Sequence, residues 1–186
     1  MNKQNLGKKF ENLIKTALDI PEKHISIDRL PDPLGGYSGI TNICDFTSYK
    51  FPFNYFLECK CTYDNTLNFK SSITEDQWQG MLNKSNYFGC LAGVCVWFIS
   101  YDTTAFVPIQ ELQCLKEAGK KSLHITDLDS EDLIHFKIKG IKKRVYFEYD
   151  GIDLIKQLTK LCANYWDINS ITINDTEVIY KNEEGD

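Results

Sequence analysis

The run Leu91-Ala92-Gly93-Val94-Cys95-Val96-Trp97-Phe98-Ile99-Ser100 carries no charge and is dense in β-branched and aromatic residues. A half-buried strand alternates apolar and polar side chains. A run apolar at nearly every position instead predicts a strand covered on both faces. A sheet with such a strand at its centre needs helices on each side, which points to an α/β domain.

The chain supplies suitable helices. Phe10, Leu13, Ile14, Ala17 and Leu18 recur at helical spacing over Gly7 to Leu18, and Pro21 follows the end. Thr74 reads as an N-cap, with Glu75 and Asp76 complementing the dipole of a helix that continues through Gln77, Trp78, Met81 and Leu82 to about Tyr87. Ile109 to Ala118 reads as a helix closed by Gly119, and Gly151 to Tyr165 as one with Leu154, Ile155, Leu158 and Leu161 along one face.

Further strands are expected at His24 to Leu30, where Ile25 and Ile27 alternate with Ser26 and Asp28, and at Ala105 to Pro108. Ile40 to Thr47 and Phe53 to Thr62 read as a hairpin joined through residues 48–52, its second arm a central strand. Lys137 to Tyr149 contains a basic strand, and either Ser170 to Ile173 or Val178 to Tyr180 adds another. Pro31 to Gly39, Tyr63 to Ser72 and Lys120 to Leu133 read as loops. The expectation is one domain over residues 1–165, a mixed central sheet flanked by helices. An acidic, partly disordered extension follows over residues 166–186.

The glycine-rich stretch at Pro31 to Gly39 lacks the lysine and hydroxyl of a P-loop, so no nucleotide cofactor is expected. No run approaches the length of a membrane span. The seven cysteines are odd in number and most sit in apolar runs, as for reduced thiols in a cytosolic protein. The N-terminal residues lead into an amphipathic segment and not into an apolar signal core. Cys59-Lys60-Cys61 lacks the further ligands of a zinc site. The net charge of −5 is not that of a general nucleic-acid binder, yet lysines cluster at Lys8-Lys9, Lys120-Lys121 and Lys137 to Arg144. Such clusters are either phosphate contacts or simply solvated faces.

The chemistry concentrates between Asp45 and Lys60. In a strand, Glu58 and Lys60 project to one face while Leu57, Cys59 and Cys61 face the other. Charges in so apolar a run are paired, ligated or set in a cleft. Two carboxylates able to share a hard divalent cation, beside a lysine, suit metal-assisted phosphodiester hydrolysis. An ordinary same-face ion pair with no catalysis is the alternative. Glu11, next to Phe10, is either solvated or reaches over the edge of the core into a cleft.

Asp45 followed by Glu58-Cys59-Lys60 resembles the D-(x)n-E-x-K core of the PD-(D/E)XK nuclease superfamily, whose fold is restriction-endonuclease-like. Gly7-Lys8-Lys9-Phe10-Glu11 opens a first helix as in many members, with an acid where several carry an extra active-site glutamate. Gln77 is similar to the glutamine of the RecU Holliday junction resolvases. The Val94 to Ser100 strand, Phe106, Glu111-Leu112, Gly119 to Ser122 and Ile152 to Ile155 follow that family's order. The resemblance covers roughly residues 7 to 160. Two departures stand out. The interval Pro31 to Ile43 is too short for the RecU stalk, and Cys44 stands where relatives often have a hydroxyl residue. The pattern is that of a reduced, stalk-less version of phage or mobile-element type, working in bacterial or phage-infected cytosol.

The resemblance implies Mg²⁺, with Mn²⁺ as a substitute, held by Asp45 and Glu58 and assisted by a backbone carbonyl near Cys59. Lys60 would orient the attacking water or stabilise developing charge. Glu11 would complete the acidic cluster, and Gln77 would hold Lys60 or the water. Lys8, Lys9, Arg29, Lys139, Lys142, Lys143 and Arg144 would contact DNA. The implied substrate is branched DNA, foremost Holliday junctions. Restriction-type or flap cleavage, and a non-catalytic DNA- or protein-binding module, are the alternatives. Two coordinated cuts imply a homodimer, with the apolar first helix or the hairpin edge as the joining surface.

Overall fold

A computed structural model of the chain describes residues 3–30, 42–166, 170–174 and 177–181. The expected loop at Pro31 to Gly39 and the acidic end lie outside the described residues. Helix α1 (Lys3–Leu18) starts four residues before the expected boundary and buries Leu6, Phe10, Ile14 and Leu18. Then come β1 (Ile25–Arg29), β2 (Phe46–Lys50), β3 (Phe53–Thr62), β4 (Thr66–Asn68), α2 (Phe69–Ser72), α3 (Glu75–Lys84) and β5 (Cys90–Phe98). After them lie β6 (Thr103–Pro108), α4 (Ile109–Glu117), β7 (Ser122–His124), β8 (Phe136–Lys137), β9 (Gly140–Lys142), β10 (Phe147–Tyr149) and α5 (Gly151–Tyr165). The hairpin β11 (Ser170–Asn174) and β12 (Glu177–Lys181) closes the described chain.

Six strands form the central sheet in the order β1-β2-β3-β5-β6-β8. Only β3 and β5 run parallel, with Glu58 opposite Val94; the other neighbours are antiparallel. The mixed sheet flanked by helices agrees with the expected architecture. Leu91 to Phe98 is buried throughout, as its composition demands.

Two apolar cores result. One joins α1 and α5 to Phe46, Tyr55, Leu57, Cys59, Cys95 and Trp97. The other, under α3 and α4, holds Cys44, Trp78, Met81, Val94, Val96 and Leu112. The apolar stripe of α1 is therefore covered within the chain, against the expectation that it joins two copies. Gly151 allows α5 to begin against α1, since a Cβ there would lie 1.6 Å from the Ala17 carbonyl oxygen.

Several local expectations are corrected. Residues 42–45 are not strand; β2 begins at Phe46, and the turn into β3 is only Phe51-Pro52. Tyr63 to Ser72 and Lys120 to Leu133 are not wholly loop. Each contributes a short strand, and β4 pairs with β7 through Leu67 and Leu123, both buried. Single apolar residues in polar surroundings hide such strands from periodicity. Lys137 to Tyr149 contains the expected strand and more: β8 closes the sheet edge while β9 and β10 make a separate hairpin. Both tail segments form strands, paired with one another.

Candidate active site

Asp45 occupies the bend where the chain enters β2, one residue outside the regular strand. Its backbone is fixed from both sides. The Leu30 amide donates to the Asp45 carbonyl at 2.9 Å, and the Asp45 amide donates to the Leu57 carbonyl at 3.2 Å. Its carboxylate accepts from the Cys59 amide at 2.8 Å. The neighbouring helix can close on this bend because Gly80 of α3 has no side chain. A Cβ there would lie 2.4 Å from Ile43. Cys44, with its thiol donating to the Phe46 carbonyl, is sealed beneath and raised to about 12 by burial and by the Glu58 and Asp45 charges.

Glu58 stands on the middle of β3 and is fully buried, at 0% exposure. Its Oε1 receives two donors. Gln77 Nε2 lies at 2.8 Å and Lys60 Nζ at 2.5 Å. Its Oε2 is buried with no hydrogen-bond partner. A carboxylate oxygen left this way in a protein interior is costly unless something positive reaches it. Burial, then the nearby Asp45 charge, push the Glu58 carboxyl up to about 7, against the opposing pull of Lys60 and Gln77. Burial pulls the Lys60 ammonium down, but Glu58 and Asp45 outweigh it and hold Lys60 above its ordinary range.

Gln77 reaches Glu58 because of where its helix begins. Thr74 caps α3 and accepts from the Gln77 amide, while Gln77 Oε1 accepts from the Thr74 amide at 3.1 Å. This capping box turns the side-chain oxygen toward the cap and leaves the NH₂ group for Glu58. The expected partner of Gln77 was Lys60 or a water; the structure gives it Glu58. The box was legible in the spacing of Thr74 and Gln77, but its second bond across to β3 was not.

The remaining expected residues spread around this centre. Glu11 on α1 pairs with Arg29 at 3.0 Å at the end of β1. Beyond burial, Asp45 pushes the Glu58 carboxyl up and Lys60 pulls it down. Cys59 points into the α1/α5 core, and burial raises its thiol well above the ordinary range. Any ligation at Cys59 would therefore come from its main chain. Lys8 is exposed, and Lys9 lies 3.8 Å over the Tyr146 ring. Lys139, Lys142 and Lys143 pair with Asp153, Asp102 and Glu148. Arg144 sits at the exposed tip of the β9–β10 hairpin. The expected basic stripe is thus largely answered by carboxylates.

Among the described residues, no group of three or more His, Cys, Asp and Glu side chains converges as a metal site. The pair Asp45 and Glu58, with the orphaned Glu58 Oε2, nevertheless fits a hard cation. Mg²⁺ commonly takes one or two carboxylates and keeps its waters. No helix among the described residues is long and apolar enough to cross a membrane.

No protein-family profile matches the chain, and no curated protein matches it significantly. Among solved structures, it is similar to Archaeoglobus fulgidus Hjc, a Holliday junction resolvase from an archaeal hyperthermophile. The TM-score is 0.40 and the identity 18%, over 57% of this chain and 75% of that one.

Proposed function

We propose that this chain is a Mg²⁺-dependent endodeoxyribonuclease whose site is built from Asp45, Glu58 and Lys60. The observation that carries the reading is the fully buried Glu58, with one oxygen held by Lys60 and Gln77 and the other unanswered. Asp45 and Glu58 would hold the cation, and Asp45 is pre-positioned by the Cys59 amide. A bound Mg²⁺ offsets charge on the scissile phosphate and lowers the pKa of a water. Lys60, partly exposed beside Glu58, stabilises negative charge developing on the phosphate oxygens. Gln77 keeps the Glu58 carboxylate from rotating. Branched DNA, with the four-way junction first, is the proposed substrate. It rests on the ordered sequence resemblance around Asp45, Glu58-Cys59-Lys60 and Gln77. Paired cuts across a junction require two sites, so the working form is a two-fold homodimer.

The test is incubation with Mg²⁺, and in parallel Mn²⁺, on a labelled four-way junction, linear duplex and single strand. Symmetric paired nicks confined to the junction are expected. Cutting of all three substrates would make it a general nuclease of the same site. Binding without cleavage under either ion would leave a non-catalytic module.

A further inference from the structure

A well-formed concavity of the described chain is not lined by the carboxylates. It is a groove of about 780 Å³ between α2, the start of α3 and the end of α4, with Phe69, Ile73 and Trp78 as its floor. Lysines stand around it: Lys70 on α2, Lys116 in the last turn of α4, and Lys120 and Lys121 just beyond. The one acid in the lining is Glu75. Its contact with Lys116 is long, 3.8 Å between two exposed side chains, and such pairs contribute little. Lys120 is held by Asp127 at 2.8 Å. Lys70 and Lys121 have no carboxylate partner among the described residues. The β9–β10 hairpin differs, since each of its lysines has one.

Hydrogen bonds tie the walls of the groove together. The Phe69 amide donates to the Lys121 carbonyl at 3.0 Å, and the Lys120 amide to the Leu115 carbonyl at 3.0 Å. Trp78 is pinned by Gln113 at 2.7 Å and covered by the Lys116 ammonium 4.5 Å above its ring. The groove shares helix α3 with the candidate active site: Glu75 and Trp78 line it, and Gln77, between them in sequence, holds Glu58 with its side chain.

We infer that this groove binds the sugar–phosphate backbone of a nucleic-acid strand running to or from the Asp45–Glu58 centre. The inference rests on the nuclease reading of that centre and adds the strand's path. Long-stemmed ammoniums from separate elements, spaced along an open trough, suit a row of phosphates. A single small anion would need convergent backbone amides or an arginine fork, and the lining has neither an arginine nor a histidine. The apolar floor suits sugar faces lying between phosphates.

The test is fluorescence anisotropy in EDTA, where cleavage cannot occur, using a labelled single strand and a labelled duplex over a salt series. The variant is K70E/K121E, two exposed positions. K156E/K160E, on the exposed face of α5, makes the same change of net charge elsewhere. The groove variant is expected to bind at least ~10-fold more weakly, with a salt slope reduced by about 1.5, while the control changes little. K70Q/K121Q, which adds no repulsion, is expected to lie between. Whichever probe loses affinity identifies the strand form in the groove. Equal losses in the groove and control variants overturn the groove while leaving the nuclease reading intact. A wild-type protein that binds neither probe also overturns the groove, while cleavage of the four-way junction with Mg²⁺ decides the nuclease reading separately.

Discussion

The two faces of β3 are built to opposite rules, though their residues alternate along one strand. Phe53, Tyr55, Leu57 and Cys59 all enter the core shared with α1 and α5. One position along, the opposite face carries Glu58 and Lys60 beneath α3. The first face follows ordinary packing, where burial alone stabilises. The second buries a carboxylate that the fold disfavours and answers with only a lysine and a glutamine. On the proposed reading, stability lives on one face and chemistry on the other, so substitutions one residue apart should fail in different ways.

The largest effect is expected at Asp45. Asn keeps an oxygen for the Cys59 amide, so Asp45→Asn should fold normally. It should lower Mg²⁺-dependent cleavage roughly a thousandfold, about 4 kcal/mol in barrier. Single-turnover rates and a thermal melt read the two halves. On the packed face, Leu57→Ala is expected to cost about 3 kcal/mol of stability in urea unfolding, because it leaves a cavity at a fully buried position. Its cleavage rate per folded molecule should stay within a few-fold of wild type. A Leu57→Ala protein that is stable but inactive would dissolve the contrast between the faces.

The charged face also makes stability depend on pH. Glu58 moves from an ordinary 4.5 to about 7 on folding, so the folded state holds a proton that the unfolded chain releases. The metal-free protein should therefore lose stability as pH rises from about 4.5 to about 7, by roughly 1–3 kcal/mol. Glu58→Gln should flatten that slope. Denaturation midpoints in EDTA across the window decide it, and a slope unchanged by Glu58→Gln would place its origin elsewhere. Over the same window, affinity for a divalent cation should rise, because the ligand is the ionised carboxylate. The smallest effect is at Gln77. Gln77→Ala should cost about 1 kcal/mol of stability through the lost capping bond, with a modest fall in cleavage as Glu58 loosens. Gln77→Glu, which can restore the cap but places a like charge on Glu58, should be the less active of the two.

How much of this was legible in the sequence follows the range of the forces involved. The unbroken apolar run at Leu91 specified a strand covered on both faces. The i, i+2 spacing of Glu58 and Lys60 set them on one face, and Thr74 marked the start of α3. These signals are local. The partners of Arg29, Lys139 and Lys142 come from other segments and that of Lys143 from across its own hairpin, so a basic stripe in sequence became a set of ion pairs in space. The β4–β7 ladder joins residues some fifty-six positions apart through one buried leucine on each strand, too little periodicity to detect. The lysine groove was invisible for the same reason: Lys70 and Lys121 meet only through that ladder and the Phe69–Lys121 hydrogen bond.

The central claim is that Asp45 and Glu58 together hold a divalent cation. Calorimetric titration of the DNA-free protein with Mn²⁺ tests it without relying on any substrate. Wild type should give a saturable isotherm that is lost, or weakened at least ~10-fold, in both Asp45→Asn and Glu58→Gln. Identical isotherms for all three proteins, or no binding heat from wild type, would contradict it.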